Sequence, residues 1–406
     1  MLGTRVDSAP HMSDASRVML LAVFLIMISD YTLSALDSRY PALQVVRFLP
    51  YLLSAILLAK SKIRSIELLW IAFILWMLVT GLLNQHMVLN EAFFIFKFVA
   101  LAIIINYYAQ RGLVRDAALI FFFASVVGMI TNLVFDPRTL GVFLDVYESD
   151  SQNYGRTVWF TGTRNTFGEY FLLSTTMVIL GGWGSRRWKV VSLLWSVVGV
   201  LLSVYVWSAT SIATTVLILG IVLLGKFWRV PPVASLAMGI AFSLSIVMFR
   251  IQDVFSSIIV GVLRRDLTFT NRTVIWDFYL SRIPLHPISG GSSYANVIPA
   301  LGVEFPAHNV VLSVVDTYGI VGVALVLAIF LRSAKDSAVI EAAGVRYVLS
   351  AIVFVFLVRG TFESQWGVLF VYMTMLANAK SFVRSPTLRH TEDLDANKAA
   401  IPLRRT

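Results

Sequence analysis

Cysteine is absent from the chain, which excludes disulfides, thiolate metal ligands and a cysteine nucleophile. Charge is also scarce. Asp, Glu, Lys and Arg supply 14% of residues, against about 25% in soluble domains. Neither a repeat of fixed period nor a low-complexity tract interrupts the sequence, so a solenoid is excluded. What remains is apolar: 58% of residues are hydrophobic and the mean hydropathy is +0.79. One buried core cannot absorb that much, because a globular protein must also cover itself with polar surface. The composition therefore predicts an all-α integral membrane protein. A net charge of +10 would suit nucleic acid, but the basic residues are scattered among short loops rather than gathered on one face. No nucleic-acid partner is expected.

A hydrocarbon core about 30 Å thick needs roughly 20 apolar helical residues. Runs of this kind predict about 12 transmembrane helices, at 17–36, 42–59, 66–83, 92–109, 115–135, 165–183, 188–207, 209–227, 232–250, 309–331, 346–359 and 364–380. The second contains Arg47 and Pro50. The first is too long for a signal-peptide core and is expected to be a retained span. Placing both termini in the cytoplasm puts thirteen Lys and Arg in the short inner loops: Lys60, Lys62, Arg64, Arg111, Arg115, Arg186, Arg187, Lys189, Lys226, Arg229, Arg332, Lys335 and Arg346. The short outer loops then hold only Arg39 and, at a span edge, Arg359, as the positive-inside rule requires.

The organisation that follows is N-terminal helices over 1–135, a first long periplasmic loop over 136–164 and central helices over 165–250. A second long periplasmic loop over 251–308 precedes C-terminal helices over 309–380 and a polar tail over 381–406. The first long loop carries Arg138, Arg156 and Arg164; the second carries Arg264, Arg265, Arg272, Arg282, His286 and His308. Long loops cross membranes largely regardless of charge, so these arginines fit the topology but need a reason to be there. Within the second loop, Val274, Ile275, Phe278, Tyr279 and Ile283 recur at helical spacing with Asn271 placed as an N-cap. That pattern predicts an amphipathic helix lying on the membrane surface or capping the bundle. Among intramembrane charges, Asp30 and Glu67 lie near span ends, whereas Lys97 lies deep in the fourth span and requires a polar partner.

TFTNRTVIW is followed by a P-x-x-x-G turn (Pro287, Gly291), then His308-Asn309 with Leu312, Tyr318, Gly319 and Gly322 beyond it. TGTRNTFGEY (Thr161 to Tyr170) opens a span after the first long loop, and RGTFES carries Arg359 and Glu363. In order and spacing, over roughly 155–370, these segments resemble the O-antigen ligase and polymerase superfamily of membrane glycosyltransferases. Two features depart from that pattern. SATSIAT (Ser208 to Thr214) lacks an arginine that is common there, and Thr317 stands where an acidic residue often precedes the glycine matched by Gly319, with Asp316 one residue earlier.

The resemblance implies an enzyme of the bacterial inner membrane whose site faces the periplasm. It would join undecaprenyl-diphosphate-linked glycan units to a glycan or lipid A-core acceptor, with a chain-length regulator as a further partner. Such a site must stabilise charge on a departing diphosphate. Arginine suits this because it stays ionised and offers a planar donor fork, at about 1.5–3 kcal/mol per charge-assisted hydrogen bond. Arg272 and Arg265 are the expected catalytic arginines, and Arg164, Arg264 and Arg156 the expected diphosphate ligands. Histidine accepts protons near neutral pH, and His308 is the expected base, with Asp316 a partner along the same helix. Asn309 and Glu363 complete the expected set. Neither long loop holds a paired-aspartate motif, so a metal-independent reaction without a cofactor is expected. A polymerase is the first reading and a ligase the second. A flippase or transporter is the third, weakened by the lack of matched halves.

Overall fold

The computed structural model describes residues 12–29, 42–84, 89–134, 164–182, 186–205, 208–257, 260, 271–291, 295–338, 343–363 and 377. They fold into α1 (Asp14–Ile28), α2 (Ala42–Ala59), α3 (Ser65–Asn84), α4 (Leu89–Gln110), α5 (Val114–Val134) and α6 (Arg164–Gly181). Then follow α7 (Arg186–Tyr205), α8 (Ala209–Leu224), α9 (Pro232–Phe249), α10 (Arg272–Arg282), the strands β1 (Ala295–Ile298) and β2 (Val303–Pro306), α11 (Val310–Ala338) and α12 (Ala343–Phe362). The tail, Asp30 and nearly all of the expected twelfth span and of the first long loop lie outside the described residues.

Among the described residues, five helices, α3, α5, α7, α9 and α11, are long and apolar enough to cross a membrane. The burial pattern departs from that of a soluble protein. Ser174, Thr175, Thr176, Ser196, Ser203 and Ser333 are fully buried, while Leu82, Leu201 and Phe249 stand largely exposed. Small hydroxyl residues between helices allow close approach and interhelical hydrogen bonds where water is absent. Ser235 of α9 and Ser350 of α12 share a hydrogen bond of 2.6 Å, and Thr215 of α8 donates to Ser203 of α7 at 3.3 Å. The protein is helical and membrane-embedded. Its most extensive helix pairs are α9 with α12, α7 with α8 and α5 with α6.

α2 matches the expected span to the residue, with Pro50 inside it. α11 does not match. It runs to Ala338 and breaks at Gly319, where φ is 65° and ψ −168°, a combination open essentially to glycine alone. A helix break strands carbonyls and N–H groups, and the turn after α10 satisfies them. Gly291 N–H donates to the Asp316 carbonyl at 3.0 Å, and Ile320 N–H donates to the Pro287 carbonyl at 2.9 Å. Trp76 Nε1 donates to the Tyr318 carbonyl at 2.8 Å, and Asn84 Nδ2 to the Gly290 carbonyl at 3.1 Å. A Cβ on Gly319 would stand 2.1 Å from the Ile288 carbonyl oxygen. Both members of the P-x-x-x-G turn are thus used in splinting the broken helix.

α10 caps the bundle. Ile275, Trp276 and Tyr279 are buried against Ile246 and Val247 of α9, Leu312 of α11 and Ile298 of β1. Trp276, absent from the expected apolar face, is its most deeply buried member. Asn271 occupies the N-cap position, but with φ 65° and no side-chain cap bond. It serves as a left-handed hinge, a conformation asparagine tolerates, so its expected side-chain capping role is corrected. The segment expected to supply turns also forms an antiparallel hairpin, with Val297 opposite Glu304.

Candidate functional site

The hairpin delivers the chain to His308, whose φ of 47° lies in the left-handed region. Non-glycine residues held there cost about 1–3 kcal/mol and recur at functional sites. The next residue fixes this geometry. Asn309 is fully buried, and its Oδ1 accepts from Leu312 N–H at 3.0 Å, capping α11. Its Nδ2 donates to Ser243 of α9 at 3.1 Å and to the Thr361 carbonyl of α12 at 3.0 Å. Asn309 therefore locks three helices together beside His308. Behind the hairpin, Tyr279 donates to the Phe305 carbonyl at 2.7 Å. Burial is the main influence on this hydroxyl and pushes it up to about 12, so it remains a neutral donor.

Glu363 is where the site converges. It follows α12 directly and is 3% exposed. Arg272 Nη2, from the first residue of α10, donates to Glu363 Oε1 at 2.9 Å. His308 Nδ1 lies 3.8 Å from Glu363 Oε2. That distance is too long for a hydrogen bond, so the approach is electrostatic. Nδ1 is buried with no hydrogen-bond partner among the described residues. Burial would raise the Glu363 carboxyl, but His308, Arg272 and Arg359 outweigh it and hold the group down at about 2. The carboxylate is therefore ionised throughout the physiological range. Three residues far apart in sequence thus form one charged cluster at the capped end of the bundle.

Other expected residues fall elsewhere. Asp316, expected beside His308, pairs with Arg282 at 3.5 Å, and the carboxylate facing His308 is Glu363. Arg164 opens α6, and its side chain is outside the described set, as are Arg156, Arg264 and Arg265 entirely. His286 is exposed on the turn after α10. Sequence reasoning passed over Arg250, which bridges α9 to α10 through Asp277 and through the Thr273 carbonyl at 3.2 Å. A basic residue right after an apolar span was the available signal. Among the described residues, no group of three or more His, Cys, Asp or Glu gathers to hold a metal ion.

An apolar cavity of about 130 Å³ opens beneath Asn309, lined by Ser243, Val310, Val314, Val326, Leu357 and Gly360 among others. An imidazole near a buried carboxylate can take a proton, and the arginine fork beside it can steady an anion at the same place. No family model, curated protein or solved structure matches the chain.

Proposed function

We propose that the protein is a membrane glycosyltransferase of the bacterial inner membrane. It joins undecaprenyl-diphosphate-linked oligosaccharide units into a surface polysaccharide on the periplasmic face. The observation that carries this reading is the convergence of Arg272 and His308 on the buried carboxylate of Glu363. Glu363 orients His308 through Nδ1, which leaves Nε2 to take the proton of the acceptor hydroxyl as that oxygen attacks the anomeric carbon. General-base help of this kind contributes about 10²–10⁴ in rate. The bond from the anomeric carbon to the diphosphate oxygen breaks, and the leaving diphosphate departs with the bonding electrons.

Arg272 spends part of its five-donor fork on Glu363. The remaining donors serve the diphosphate, joined in this reading by Arg265, Arg264, Arg164 and Arg156 from the two long loops. The twelve-span topology with cytoplasmic termini belongs to the same proposal, because it puts both long loops on the face where an exported lipid-linked donor arrives.

The test is chain extension by purified protein in liposomes, using lipid-linked oligosaccharide and no ion gradient. Wild type should make a ladder of products, while His308→Ala and Arg272→Ala each lose at least about 100-fold in rate. Full activity in both variants would overturn the mechanism. Transfer of preformed polymer to lipid A-core, without a ladder, would make the protein a ligase.

A further inference from the structure

Three further ionisable side chains are buried in the bundle near Glu363, and the mechanism above gives them no role. Arg359 of α12, Glu169 of α6 and Lys97 of α4 are 4%, 2% and 7% exposed. Buried ionisable groups are costly, and retaining them calls for a reason. Arg359 precedes Glu363 by one helical turn, and Glu363 N–H donates to the Arg359 carbonyl at 3.1 Å, so the two side chains leave α12 on the same face. The Glu363 carboxylate feels Arg359 along with Arg272 and His308. Glu169 in turn feels Arg359, Lys97 and Glu363. The Lys97 ammonium sits 5.7 Å from the ring centroid of Tyr170, the residue after Glu169. Arg359, Lys97 and Glu363 thus all lie within electrostatic reach of Glu169, and Arg272 within contact of Glu363.

The backbone holds Glu169 in place. Gly168 packs so tightly on α8 that a Cβ there would stand 2.2 Å from Ser211 Oγ. The Tyr170 hydroxyl donates to the Met27 carbonyl of α1 at 3.4 Å. Glu169 Oε1 is buried with no hydrogen-bond partner among the described residues. An anchored, buried carboxylate that feels cations from two other helices is poorly explained as solvation and well explained as alignment.

We propose that Glu169 is a positioning residue for the Arg272–Glu363–His308 centre, acting through Arg359, with Lys97 as its counter-charge. The proposal rests on the reading of that centre as the reactive one. Glu169 draws Arg359 inward and so leaves the outer side of Glu363 to Arg272 and His308. Without the Glu169 carboxylate, Arg359 turns towards Glu363 and pulls it off line.

The experiment uses full-length protein in lipid bilayers, with ¹⁵N-histidine labelling and the His308 imidazole signals assigned by their loss in His308→Gln. Glu169→Gln should move those signals, and Glu169→Asp should largely restore them. Glu67→Gln, at a buried carboxylate paired with its own neighbour Arg64, should leave them in place. In the liposome assay, kcat of Glu169→Gln should fall on the order of 100-fold, as misplacing a catalytic group by about 1 Å does, with the KM for donor within about twofold. His308 signals unmoved by Glu169→Gln, or moved equally by Glu67→Gln, would overturn the proposal. Failure of wild type to extend glycan would overturn the functional reading instead, while the imidazole signals still judge the role of Glu169.

Discussion

Replacing Glu363 with glutamine keeps the shape of the side chain and removes its charge, so its effect on stability can be worked from the structure. The carboxyl is held at about 2 from an ordinary value of 4.5. At about 1.4 kcal/mol per pH unit, that corresponds to about 3 kcal/mol favouring the folded, ionised form. Glu363 is almost fully buried, so solvent screening takes little from this figure. The carboxyl is depressed on folding, so its contribution is complete above the unfolded value near 4.5. It drains away as pH falls towards 2. Wild type should therefore exceed Glu363→Gln by about 3 kcal/mol at pH 7, with the gap shrinking below pH 4.5. Unfolding of both proteins in mild detergent micelles, titrated with a denaturing detergent at several pH values between 3 and 7, measures that gap. A gap that stays constant across this range would refute the assignment of Glu363 as the ionised hub.

Two further substitutions probe the scaffold around this hub. Gly319→Ala places a Cβ 2.1 Å from the Ile288 carbonyl oxygen at a φ of 65°, so it should cost at least about 2 kcal/mol, read as a lowered Tm in detergent; an unchanged Tm would contradict the splinted break. Asp316→Asn and Arg282→Gln should each destabilise by about 2 kcal/mol, and the double variant by less than the sum, because the two side chains form one pair at 3.5 Å. Simple additivity in that cycle would mean the pair contributes nothing of its own.

The helices were legible because lipid demands long apolar runs, and α2 appeared where its run lies. The break in α11 was not legible, since DTYGIVGVALV sets Gly319 apart from Gly322 in no visible way and hydropathy carries no trace of a φ angle. His308 stood out as a lone imidazole beside a span. Glu363 was in the expected set, but its pairing with His308 was not legible, because it is 55 residues further along the chain and reaches His308 only once α12 packs alongside α9 and α11. The same holds for Lys97. Its need for polar company followed from its depth, but nothing local pointed to α6. The pairing of Asp316 with Arg282 was hidden for a related reason. Proximity along one helix suggested His308, while the returning turn after α10 brought Arg282 to it instead.

The crossing of the Pro287–Gly291 turn with α11 also determines where the chain tolerates a change of length. An extra residue in the hairpin turn at 299–302 meets open space, since nothing lies within 4 Å of a Cβ at Gly302, and the strands above and below can stay paired. An extra residue between Asp316 and Ile320 is different. It would rotate everything downstream by about 100° unless the hydrogen bonds from Gly291 and Ile320 gave way. Descendants of this gene should therefore vary freely in length at the hairpin and hold a strict residue count from Pro287 to Gly291 and from Asp316 to Ile320, with the two short segments inherited as one unit.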